Sequence, residues 1–169
     1  MFYGIYIENG RIIDRDDCRM KSALRTIMRE HQPRIRLTPH QNMLLLDLSD
    51  KQIASLEATL RDHGVRLVQE LSAARRYSMA CPALPTCGLS MAESERIMPS
   101  VVDRFEDELE RLGLRDAPIT LRMTGCPNGC SRPYTADIAF VGRRPDVYHV
   151  YVGGGLPGTR MADLYAADV

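Results

Sequence analysis

The sequence has no excess of either charge: 22 basic residues are matched by 22 acidic ones. Nucleic-acid and anionic membrane-surface partners are usually met by a basic surplus, so the composition offers neither. No apolar run approaches the roughly 20 residues of a membrane span, and even a run such as Met43 to Leu46 is strand-sized. The opening Met1-Phe2-Tyr3-Gly4-Ile5 has neither a basic n-region nor a small-residue cleavage site, which makes a cytoplasmic setting with reduced thiols the expectation. Internal repeats and low-complexity segments are absent. With 169 residues, 44% of them hydrophobic, the chain has room for one medium domain or two small ones.

Against these absences stand five cysteines. Four fall in two pairs, Cys81/Cys87 and Cys126/Cys130, and in a reducing compartment such pairs point to metal or redox chemistry before disulfides. Cys18 stands apart and reads as a small buried hydrophobe on the first helix.

The order of elements predicts an α+β protein. Phe2 to Ile7 reads as a strand entering a hairpin at Asn9-Gly10. Asp16 to Gln32 has helical spacing, with Met20, Leu24, Ile27 and Met28 on one stripe. Arg34 to Thr38 and Met43 to Leu48 are strands. Ser49 with Gln52 forms a capping box for a helix ending at Gly64, and Val65 to Val68 reads as a last strand. The sum, β-α-β-β-α-β, is a ferredoxin-like half-domain over residues 1–72. Ser72 to Tyr77 reads as the connection to a second α+β domain, 73–169. There Ser90 and Glu93 make another capping-box signature. Pro99 opens a helix through Val102, Phe105 and Leu109, with Glu106, Asp107, Glu108 and Glu110 on a solvated face. Ile119 to Met123, Thr135 to Val141 and Val147 to Val152 are strands. The end resembles a helix start cut short, so this domain is expected to continue beyond Val169.

The cysteine loops are Cys81-x5-Cys87 and Cys126-x3-Cys130. A cubane iron–sulfur cluster needs four thiolates, one for each iron, on loops that bend sharply. Pro82, Pro85, Gly88, Gly125 and Gly129 suit such bends and a close backbone approach. Structural zinc favours gaps of two to four residues within each pair; the x3 pair fits and the x5 pair does not. Spacing alone puts a cluster first and leaves zinc, or buried thiols without metal, open. A simple ferredoxin is disfavoured by the long interval between the pairs and the lack of a compact cysteine run.

The motifs carry a resemblance. Met79-Ala80-Cys81-Pro82-Ala83-Leu84-Pro85-Thr86-Cys87-Gly88-Leu89, followed by Ala92-Glu93-Ser94-Glu95-Arg96, resembles the first cluster motif of the sulfite reductase haemoproteins. Arg122-Met123-Thr124-Gly125-Cys126-Pro127-Asn128-Gly129-Cys130-Ser131-Arg132 resembles the second. Arg36-Leu37-Thr38-Pro39-His40-Gln41-Asn42 resembles the signature of that family's half-domain, and Gly153-Gly154 with Gly158-Thr159-Arg160 its ending. The resemblance covers nearly the whole chain and assigns it to the C-terminal portion of a sirohaem and [4Fe–4S] sulfite or nitrite reductase.

It implies that Cys81, Cys87, Cys126 and Cys130 ligate a [4Fe–4S] cluster, with Cys130 also the bridging axial ligand to sirohaem iron. Asn128 and Arg132 are the implied further sirohaem contacts. The implied reaction is six-electron reduction of sulfite to sulfide. Electrons would come from an NADPH-dependent flavoprotein or a ferredoxin. Sirohaem nitrite reductase, forming ammonia, is the alternative within the family; a zinc-stabilised module is the alternative outside it. The Ala83-Leu84-Pro85-Thr86 stretch resembles the sulfite branch. The family's anion-binding basic residues lie mainly in the other half of the enzyme. The isolated chain is therefore expected to be inactive, to hold its cofactors poorly and to self-associate through an exposed apolar sheet face. His40 reads as a turn residue satisfied locally. Arg75 and Arg76 read as solvated rather than as partners for sirohaem carboxylates.

Overall fold

In the computed structural model, which describes all 169 residues, the chain divides into two compact units, Met1–Leu71 and Ser72–Val169. The first is built from β1 (Phe2–Ile5), α1 (Met20–His31), β2 (Arg34–Leu37), β3 (Met43–Leu46) and α2 (Asp50–Asp62). The strands form an antiparallel sheet in the order β1-β3-β2. Strand alternation puts Tyr3, Ile5, Met43 and Leu45 on one face, where they bury against Leu24 and Ile27 of α1 and Leu56 and Leu60 of α2. Both helices end or begin as their sequence dictates. Gln32 takes the left-handed conformation before Pro33 and returns its N–H to Met28 O. Ser49 and Gln52 close the capping box expected of them.

Two expected strands of this unit do not form. Asn9 and Gly10 both adopt positive φ, but they complete a short 3-10 turn, Glu8–Gly10, instead of a hairpin. The backbone there is satisfied without a partner strand: Gly10 N–H returns to Ile7 O, and Ile7 N–H goes to the Asn42 side chain. Val65 and Leu67 are buried alternately, as a strand would bury them. Their N–H groups go instead to Leu60 O and to the Glu70 carboxylate, and the chain turns into a 3-10 segment, Val68–Glu70. Cys18 sits just ahead of α1, half-buried against the core, and burial pushes its thiol up.

The second unit contains α3 (Ala73–Tyr77), β4 (Met79–Ala80), α4 (Met98–Arg111), β5 (Leu121–Thr124), β6 (Ile138–Arg144), β7 (Val147–Val152) and β8 (Asp163–Ala166). They form one sheet in chain order. β4, β5 and β6 are parallel; β7 and β8 add antiparallel. One face, with Ala80, Leu121, Met123, Ile138 and Phe140, packs on Met98 and Val102 of α4. Pro99 lies in the first turn of α4, and Gly113 follows it at φ 70°.

Several local expectations change here. Ser72 to Tyr77 is a short helix capped by the Ser72 hydroxyl. Ser90 caps no helix; its hydroxyl donates to Ala92 O, and Glu93 accepts from Ser94 N–H. The final segment is β8, pairing with β7, where a helix start was expected. Arg75 is not solvated: it is 3% exposed and ion-paired with Asp103 and Glu106. Glu106 therefore turns inward from the acidic face of α4 and also accepts from Ser72 Oγ. Glu106→Gln would leave Arg75 with Asp103 as a carboxylate partner and weaken a charged hydrogen-bond network. It is accordingly expected to cost about 2 kcal/mol, read as a lower urea midpoint at unchanged slope.

Candidate metal centre

Parallel pairing of β4 with β5 makes both cysteine loops leave the sheet at the same end. Met79 lies opposite Arg122 and Ala80 opposite Met123, and Cys81 N–H continues the ladder to Met123 O at 3.2 Å. Cys81 is thus the first residue beyond β4, level with Thr124, and Cys126 follows two residues later on the neighbouring strand. Gly125 N–H donates to Cys81 Sγ at 3.2 Å, and Thr124 Oγ1 donates to the same sulfur at 3.5 Å. Donors aimed at a ligand sulfur orient it and tune the metal it holds.

The two loops also pack directly on each other. Met91 and Ala92 both donate their N–H to Gly125 O, at 2.8 and 2.9 Å. A Cβ at Gly125 would meet Ser90 Oγ, lie 2.6 Å from Ala92 O and 2.8 Å from Ala83 Cβ. Ser94 and Ser131, one from each loop region, donate their hydroxyls to Met123 O at 2.8 and 2.6 Å. Tyr148 OH donates to Glu93 O, and burial pushes its phenol up to about 12. Gly129, at φ 69°, makes the turn that leads into Cys130. Gly88 needs neither positive φ nor a close approach, since a Cβ there would meet open space.

Cys81 and Cys126 are buried, Cys87 is half-buried, and Cys130 is exposed; all are free thiols. Cys87 is held within its own loop, its N–H on Ala83 O and its carbonyl receiving Ser90 N–H. Asn128 and Arg132 are exposed, and Arg132 Nη2 lies 3.3 Å from Met79 Sδ. No three His, Cys, Asp or Glu side chains are grouped so as to hold a single metal ion. Zinc draws its ligands to within about 2.3 Å of one point, whereas a cubane takes one thiolate at each iron and spreads them around its surface. A buried Cys81 sulfur with N–H and O–H donors, a close-packed Gly125 and an exposed fourth thiol fit the cluster chemistry. The donors to Cys81 Sγ come from Thr124 and Gly125, within the quoted motif, but only the strand register reveals where they point.

Two family models match in succession. Residues 1–63 match the nitrite/sulfite reductase ferredoxin-like half domain, and residues 72–167 match the nitrite and sulphite reductase 4Fe-4S domain. The chain belongs to the nitrite and sulphite reductase family. Its architecture is accordingly a ferredoxin-like half-domain followed by a second α+β domain. Similar curated proteins of the family include the sulfite reductase [NADPH] hemoprotein beta-components of Methylocella silvestris and Staphylococcus saprophyticus. The first is 49% identical and the second 44%, each over 99% of this chain. The chain spans about 29% of the length of these relatives. The solved structure of Mycobacterium tuberculosis NirA is similar over 98% of this chain and 31% of its own, with TM-score 0.80 and 30% identity.

Proposed function

We propose that this chain is the cluster-bearing portion of a sirohaem sulfite reductase. In this reading Cys81, Cys87, Cys126 and Cys130 would hold a [4Fe–4S] cluster, and Cys130 would also be the residue that reaches the sirohaem. The observation that carries it is the parallel β4–β5 pairing, which brings two cysteine loops together with Gly125 N–H on Cys81 Sγ. The cofactors would supply the electron transfer and the iron at which sulfite is reduced by six electrons to sulfide.

The chain's own residues do the rest. Thr124 and Gly125 orient the Cys81 sulfur by donation. Ser94 and Ser131 tie the loops to the end of β5. Cys130 is the most accessible of the four, as a ligand shared between two irons has to be. Asn128 and Arg132 flank it on the exposed side, where a macrocycle and its carboxylates would lie. Sulfite is preferred to nitrite because the Ala83-Leu84-Pro85-Thr86 stretch resembles the sulfite branch and the curated relatives quoted carry that name. Their bracketed NADPH supports a flavoprotein donor, and cytoplasmic residence accords with the reduced thiols.

The test is turnover by the full-length protein with a reduced dye as donor. Sulfide formation with a higher kcat/KM for sulfite than for nitrite is expected. Faster ammonia formation from nitrite would move the substrate assignment. Neither product from protein carrying its full iron and sirohaem would overturn the reading.

A further inference from the structure

The second cysteine loop is itself a crossover. β5 and β6 are parallel neighbours, so the segment between Thr124 and Ile138 must return along the sheet to start β6. It does so over the face opposite α4. Strand alternation sets Arg122 and Thr124 on that face, away from Leu121 and Met123. Arg122 is 1% exposed, and its Nη1 donates to Arg132 O at 2.8 Å and to Thr135 Oγ1 at 2.9 Å. Both acceptors are uncharged groups of the returning segment.

A buried guanidinium of this kind normally has a carboxylate partner. Arg122 has none: no ion pair includes it, and its Nε is buried without a hydrogen-bond partner. Asp137 is near enough to be felt, but its Oδ2 is taken up by Thr120 N–H and Thr120 Oγ1. Arg132, the other cation nearby, adds repulsion. The fold therefore holds a desolvated positive charge, with one donor unused, beneath the loop that carries Cys126 and Cys130. Two residues further along the same face, Thr124 touches Cys81 Sγ.

We infer that Arg122 is a positioning residue for the second cysteine loop and the fixed positive charge that offsets the thiolate-bound cluster. The inference rests on the cluster reading above. A cluster held by four thiolates is an anion and becomes more negative on reduction, so a nearby buried cation favours the reduced form. The donation to Arg132 O sets the left-handed turn at Arg132, φ 55°, that leads the chain away from Cys130. One side chain thus fixes the exit of the loop and the charge beneath it.

The experiment is an EPR-monitored redox titration of full-length Arg122→Gln and Arg122→Lys, alongside iron and acid-labile sulfide analysis. Gln keeps a donor for Arg132 O and removes the charge; Lys keeps the charge and loses the two-acceptor reach. Unit charges about 10 Å apart at an effective dielectric near 20 change an equilibrium about tenfold. The Gln variant is expected to hold its cluster with a midpoint lowered by about 59 mV for one electron, the equivalent of that tenfold change. The Lys variant is expected to stay near the wild-type midpoint and to lose part of its iron on gel filtration. A cluster-loaded Gln variant with an unchanged midpoint would overturn the inference, as would a Lys variant shifted as far as Gln. Should Gln fail to fold, a cluster-loaded Lys variant whose midpoint falls by about 59 mV would overturn the inference. Wild-type protein devoid of cluster would overturn the cluster reading itself, which separates the two failures.

Discussion

Serine in place of Cys126 is expected to strip iron and acid-labile sulfide from the full-length protein, whereas serine in place of Cys18 leaves both untouched. The contrast follows from position. Cys18 is half-buried beside a hydrophobic core in the first unit, with burial raising its thiol pKa, so it behaves as an apolar filler. Cys126 is buried one residue beyond Gly125, whose N–H lies on Cys81 Sγ. A serine hydroxyl there is a poor replacement for a thiolate, because it remains protonated at neutral pH and is a hard ligand where iron–sulfur chemistry uses a soft one. The reduced-state EPR signal should fall to background in Cys126→Ser and in Cys81→Ser.

Cys130→Ser divides the roles further. Its side chain is the exposed one of the four. Sulfite turnover should disappear in this variant even if reconstitution returns part of the cluster. Unchanged turnover in Cys130→Ser would remove the bridging assignment. Full iron content in Cys126→Ser would remove the cluster assignment for that pair.

Much of this was legible in the residues, for identifiable reasons. The capping box at Ser49 and Gln52 and the stripe of Leu24 and Ile27 are local signals, and the structure keeps them. Strand β7 matches its expected range, Val147–Val152. The misses lie where backbone groups found nearer partners than a strand. Asn9-Gly10 and Val65-Leu67 have hairpin and strand composition, but the Asn42 side chain takes the Ile7 N–H just before the turn, and Glu70 takes the Leu67 N–H. Arg75 and Glu106 read as two surface charges because they are far apart in sequence; only the packing of α3 on α4 buries them together. Arg122 lay inside a motif quoted for its cysteines. Nothing in the string of residues separates a buried arginine from an exposed one until β5 is seen to be covered on both faces. The two cysteine loops come together because each follows one of two adjacent parallel strands and leaves the sheet at the same end.

Alanine at Gly125 is expected to disable the site without touching a ligand. Its Cβ would have to share space with Ala92 O, Ala83 Cβ and Ser90 Oγ. The first of these is backbone, and Ser90 is fixed by its own bond to Ala92 O, so neither can swing aside as the end of a long side chain would. Relief requires the two loops to separate. That movement would break the Met91 and Ala92 N–H bonds to Gly125 O and draw Gly125 N–H away from Cys81 Sγ. Overpacking of this kind costs about 3 kcal/mol. The urea midpoint should fall accordingly, and iron content should drop well below stoichiometry in the same sample. Gly88→Ala is the matched control, because its added methyl meets open space and its backbone is not in the left-handed region. Loss of iron in both variants to the same degree would mean that the loops tolerate no methyl anywhere, and the specific contact between them at Gly125 would explain nothing. Loss in Gly125→Ala alone would show that the cluster site depends on one loop resting on the backbone of the other.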